Sequence, residues 1–169
     1  MYSKIFLIKI LYLEKKSFPV LPMKIEKIHI SNSLIASLTQ LSESRFPEEC
    51  CAVLFGHIIG ETTLELHITR IIELKNIVHS NVEFRWDDME FYTHCIQQAK
   101  EGLSFVGVFH SHPNDPYISG HDRDVIKNIG KLYPELVWIV YGNRTHTFKA
   151  FTLLHTNRFG EIPILSRHN

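Results

Sequence analysis

His110 and His112 stand two residues apart at the end of an apolar run, Leu103 to Phe109, and Pro113 follows at once. Side chains of an extended strand alternate between faces, so two histidines at this spacing point to the same side. Their imidazoles converge on one point, as a metal site requires. Proline cannot donate to a sheet ladder, and Pro113 turns the chain away. A third ligand can return from Ser119-Gly120-His121-Asp122, where Ser119 or Asp122 lies near a helix start. A carboxylate there is favoured by the helix dipole. Two histidines and one carboxylate leave one tetrahedral position of a zinc ion open, which is a catalytic arrangement and not a closed structural one. Such an ion acidifies water and polarises a carbonyl, so the implied chemistry is hydrolysis. A base for the water's proton and a donor for the oxyanion are still needed. A bare His-x-His is a weak signal. Asp122 alone reads as a helix cap and Ser119 alone as a turn residue. Their joint spacing behind an apolar strand gives the pattern its weight.

The elements that must position these residues follow from periodicity. Lys24 to Ile30 alternates apolar and polar residues and is expected to be an edge-type strand. Ser31 or Ser33 can cap a helix whose Leu34, Ile35, Leu38 and Leu41 share one face, and Pro47 ends it. Cys51 to Ile59 and Thr63 to Leu74 read as paired strands with a turn at Gly60-Glu61. Lys75 to Arg85 is an irregular connection. Asp87 offers an N-cap, with Glu90 three residues on, to a helix that Gly102 stops. Leu103 to Phe109 is a buried central strand. Asp122 to Leu132 has helical spacing, and Leu136 to Tyr141 and Thr147 to Leu154 are further strands. The order β-α-β-β-α-β-α-β-β predicts a mixed sheet packed with helices, an α/β or α+β sandwich.

Length and composition set the outer bounds. A chain of 169 residues holds one domain with a proper core and is short for two. Net charge is zero with histidines neutral, so neither a broad basic footprint for nucleic acid nor an acidic tail is present. No apolar run reaches the length of a spanning helix, and no membrane role is expected. Cys50, Cys51 and Cys95 are odd in number and two are adjacent, which suits a reducing, cytoplasmic compartment better than a disulfide framework. Their apolar surroundings mark them as core thiols and not as nucleophiles. Trp86 and Trp138 read as packing residues, and His146, His155 and His168 as surface residues. Residues 1–22 carry an apolar stretch, Ile5 to Leu13, broken by Lys9 and followed by no small-residue cleavage site. They are expected to be an extension outside the core or a misassigned start, with the domain spanning 23–169.

At this point the residues resemble a family. His110-Ser111-His112-Pro113 followed by Ser119-x-x-Asp122, with a Glu upstream, resembles the JAMM signature of the JAB1/MPN/Mov34 metalloproteases. Pro47 to Gly56 is similar to the family's segment in which Glu precedes a short apolar run ending in Gly. Asn81 to Trp86 and the helix to Gly102 resemble the stretch before the histidine motif in short bacterial members, so the likeness covers roughly 24–165. It implies an MPN/JAB (cytidine-deaminase-like) sandwich and one Zn2+ per chain held by His110, His112 and Asp122. By the same carry-over Glu49 is the general base and then the proton donor to the leaving amine, and Ser119 hydrogen-bonds the oxyanion. Glu48 is the competing base. The implied substrate is the C-terminal Gly-Gly of a ubiquitin-like or sulfur-carrier protein. Alternatives are a deubiquitinase-like isopeptidase acting on protein conjugates, for instance in antiviral defence, and a non-catalytic MPN scaffold. All the family's site positions are filled, which argues against the scaffold.

This chain departs from the pattern twice. Pro113 to Ile118 gives six residues between His112 and Ser119, one fewer than the family's usual loop, which leaves His121 or Asp124 open as participants. Ala52 stands where the family commonly has Gly and could tighten packing beneath the site.

Overall fold

Apolar residues at strand and helix spacing find partners on both faces of one sheet. A computed structural model describes residues 24–130, 133, 135–154 and 158–167. The proposed extension, residues 1–22, lies outside the described residues, as do Leu132, His155 and His168. The elements run β1 (Lys24–Ser31), α1 (Asn32–Arg45), β2 (Cys51–Ile59), β3 (Thr63–Leu74), α2 (Asp88–Lys100), β4 (Ser104–His112), α3 (Gly120–Gly130), β5 (Val137–Gly142), β6 (Thr147–Leu153), β7 (Phe159–Ile162) and β8 (Ile164–Arg167). The strands form an eight-stranded sheet in the order β7-β6-β5-β4-β2-β3-β1-β8. It is mixed: β1 runs parallel to β3 and β8, and β4 parallel to β5, while the other neighbours are antiparallel. The α/β fold class expected from the sequence is the one observed.

Local signals set the element ends. Ser31 Oγ accepts from Leu34 N and starts α1. Asp87 accepts from Met89 N and Glu90 N and starts α2. Gly60 and Gly102 hold φ values of +106° and +78°, a region that favours glycine, where the chain reverses after β2 and leaves α2.

Strand alternation divides the core in two. Ala52 and Leu54 of β2, Phe109 of β4 and Ile139 of β5 lie on one face with Leu38 of α1. Cys51 and Val53, Val108, and Trp138 and Val140 lie on the other, where Phe91 of α2 and Ile126 of α3 cover them. The result is one helix on one face and two on the opposite face.

One expectation needs correction, and two strands were not expected. β1 is not an edge strand, because β8 pairs with it through Ile28 to Ser31. The short strands β7 and β8 carry too few residues to show a period, and Pro163 between them reads as a breaker. β8 nevertheless returns to the far edge of the sheet, where Leu165, Ser166 and Arg167 are exposed.

Candidate metal centre

β4 lies between β2 and β5, so the end of a central strand presents the two histidines. His110 pairs opposite Cys51 and beside Val140, and His112 beside Gly142. Both point to the face covered by α2 and α3. Phe84 lies 4.8 Å from the His110 ring and forms an apolar wall. Tyr117 meets the edge of His112 at 5.6 Å and is half exposed at the rim.

Asp122 comes back on the first turn of α3. Ser119 accepts from Asp122 N at 3.1 Å, and Ser119 N donates to Asp122 Oδ2 at 2.8 Å. This reciprocal cap fixes the carboxylate over the histidines. The loop before it, one residue short of the family pattern, closes against β5. A side chain at Gly142 would strike Asn114 O at 2.7 Å. Asn143 N donates to His112 O at 2.9 Å, and Arg144 pairs with Asp115. His121 and Asp124 are exposed and neither belongs to the converging donor group, although the His121 charge is felt at His110.

The three donors are close. His110 Nε2 and His112 Nε2 are 3.2 Å apart, and Asp122 lies 3.4 Å from His110 and 3.3 Å from His112. Donors held about 2.0–2.1 Å from a zinc ion at tetrahedral corners stand about 3.3–3.4 Å apart. The donor set and its spacing therefore fit a divalent ion, and all three residues are buried. A hydrogen bond that His112 donates to the Asp115 backbone carbonyl orients the ring. His110 Nδ1 is buried without a partner among the described residues.

The two glutamates separate. Glu49 is buried, with Oε1 3.6 Å from His112 Nε2. Glu48 is exposed and pairs with His79 at 3.2 Å. Glu49 is pinned through its backbone: its N–H donates to Ser80 O, and Asn76 Nδ2 donates to its carbonyl at 2.9 Å. The same Asn76 donates to Glu83 O and accepts from Val78 N and Arg85 N. Its amide uses its donors and acceptor to shape the whole irregular connection beside the site. Sequence reasoning missed Asn76, because nothing marks one amide within a polar loop.

Electrostatics follow from burial. Burial is the largest influence on Glu49 and raises its carboxyl to about 7, with His112 opposing and Asp122 assisting. Burial lowers His110 below the ordinary imidazole range. For His112 burial acts downward, but the Asp122 hydrogen bond and the Glu49 charge outweigh it and the net direction is up. For Asp122 burial acts upward, and the hydrogen bonds of both histidines outweigh it and hold the carboxyl far below the usual range.

The remaining residues behave structurally. Burial pushes the Cys50 thiol up to about 11 and Cys95 up to about 12, and raises Cys51 as well. All three are free thiols without thiolate character. Ala52 is buried in the core on the face opposite the histidines, so its methyl does not press on the site. Trp138 is buried, and Trp86 stacks on Phe84 at 5.6 Å. His146 is exposed, as expected, although its Nδ1 meets Tyr141 Oη at 3.1 Å. No described helix is long and apolar enough to cross a membrane.

Comparison with known proteins gives three findings. The family described as prokaryotic homologs of the JAB domain matches residues 31–154. The desampylase of Pyrococcus furiosus is 30% identical over 118 residues, which cover 69% of this chain and 75% of that protein. The solution structure of a protein from Desulfitobacterium hafniense superposes with a TM-score of 0.72 at 21% identity, covering 84% of this chain and 94% of the other. That last likeness concerns the fold alone.

Proposed function

The chain belongs to the family of prokaryotic JAB-domain homologs, and from that membership we propose that it is a zinc-dependent peptidase. Its substrate is an amide or isopeptide bond at the C-terminal Gly-Gly of a ubiquitin-like protein. The observation that carries the reading is Glu49. A carboxylate is held buried 3.6 Å from His112, beside three converged metal donors, by backbone anchors at Ser80 and Asn76. A solvated surface charge needs no such anchoring.

The roles follow from position. His110, His112 and Asp122 would hold the ion. When bound, zinc supplies Lewis acidity, polarising the scissile carbonyl and acidifying water. Glu49 takes the attacking water's proton and returns it to the leaving amine. Ser119 already accepts from Asp122 N, so its own O–H remains to donate to the oxyanion. Phe84 excludes water behind His110. The similarity to a desampylase supports a conjugate with a ubiquitin-like modifier as the substrate class. A sulfur-carrier protein extended beyond its Gly-Gly presents the same side-chain-free tail.

The test is direct. The zinc-loaded chain is incubated with a lysine-linked conjugate of a Gly-Gly-ended ubiquitin-like protein, and separately with a sulfur carrier extended past its Gly-Gly. Mass spectrometry reads the products. Cleavage after the terminal Gly is expected for at least one of them, and its pattern decides between conjugate and carrier. Failure to cut either would overturn the enzyme reading in favour of a scaffold.

A further inference from the structure

A second group of metal-ligating side chains lies well away from the centre just described. His29 of β1 pairs in register with His67 of β3, and His67 pairs in register with His57 of β2. Three histidines thus form a row across three neighbouring strands. Glu65 sits two residues before His67, on the same face of β3. Its Oε2 lies 2.8 Å from His29 Nε2 and 3.9 Å from His67 Nε2. The His29 and His67 rings are 4.3 Å apart between centroids. One ligand atom from each of His29, Glu65 and His67 falls within 4.8 Å of the others.

We propose that His29, Glu65 and His67 form a second binding site for a first-row divalent cation such as Zn2+. The donor set of two imidazoles and one carboxylate suits zinc, copper or nickel and not calcium or magnesium. Two further features support it. Lys27 Nζ holds Glu65 Oε1 at 2.7 Å, which fixes the carboxylate and leaves Oε2 turned toward the two rings. His57, exposed at the end of the row, stands where a further donor or water can complete the coordination.

The site is distinct from the His110–His112–Asp122 cluster. Cys51 faces His110, whereas His57 lies six positions further along β2. At the rise of a strand the two sites are separated by about 20 Å. An ion there joins β1 to β3 away from the His110–His112–Asp122 cluster, so its role is to fasten the β1 side of the sheet. It does not depend on the hydrolase reading.

Equilibrium dialysis of the full chain against Zn2+, followed by elemental analysis, tests the proposal. Wild type is expected to hold about two zinc ions per chain, and His67→Ala, His112→Ala and Glu65→Gln about one each. His67 is only partly buried, and Glu65→Gln keeps the side-chain shape, so a folded variant is available. His67→Ala should cleave conjugates like wild type. A wild type that binds one ion, lost with His112→Ala and retained in full by His67→Ala and Glu65→Gln, would overturn the second site. Loss of the His112-dependent ion alone would instead strike at the proposed hydrolase.

Discussion

Glu48 and Glu49 are adjacent in sequence and opposite in circumstance. One is exposed against His79, and the other is buried within reach of His112. Replacing Glu49 by Gln keeps the shape and removes the proton acceptor. Turnover is expected to fall at least about 100-fold, with zinc content by elemental analysis unchanged. Undiminished turnover would move the base elsewhere. Ser119→Ala should act differently. It removes the proposed oxyanion donor, which costs about 100-fold or more in kcat. It also removes the cap on α3, which costs about 1 kcal/mol of stability. Urea unfolding and kinetics together separate the two effects, and a change in stability with no change in kcat would leave Ser119 as a cap only. The convergence of His110 and His112 was legible, because strand period has a fixed geometry, whereas Asp122 as third donor followed from the resemblance to the JAMM pattern. That Glu49 and not Glu48 turns inward depends on backbone bonds to Ser80 and Asn76, contacts made across a loop that no periodicity describes.

Elements carry these side chains with differing legibility. β2 and β3 were readable to their ends, because apolar runs bounded by Gly60 and Cys51 have only one strand-like reading. β7 and β8 were not, since four-residue strands give no measurable period. β1 looked like an edge because it alternates, yet β8 covers it from the end of the described chain. Two positions test how tightly elements hold the site. Gly107 in β4 lies against β5, where an added Cβ would meet Val137 O at 2.4 Å and Val137 Cγ2 at 2.7 Å. Gly107→Ala should therefore push β4 and β5 apart and cost about 1–3 kcal/mol in urea unfolding. A neutral result would mean the strands part freely. Asn76→Ala strips four hydrogen bonds from the connection beside Glu49. It should cost about 2 kcal/mol and lower kcat more than it raises KM, because Glu49 loses its anchor while the rim is untouched. Equal loss in both constants would mean Asn76 serves folding alone.

At the scale of the whole molecule, the metal centre ties the end of a central strand to the start of a covering helix. The histidines end β4 and Asp122 opens α3, so a bound ion closes the loop between them. An ion that binds only the folded chain stabilises it by about 2.7 kcal/mol when free metal is one hundred times its Kd. For a chain of this size that corresponds to roughly 5–10 °C in Tm. Stripping zinc with a chelator should lower Tm by that order, and adding zinc back should restore it. The measurement belongs in the His67→Ala chain, where the proposed second site cannot contribute. His112→Ala in the same background should show no response to chelator. A chelator-treated chain that has lost its zinc by elemental analysis and yet melts unchanged would mean that the cluster is held by its own imidazole–carboxylate contacts. The ion would then be a passenger in a site the protein closes without it.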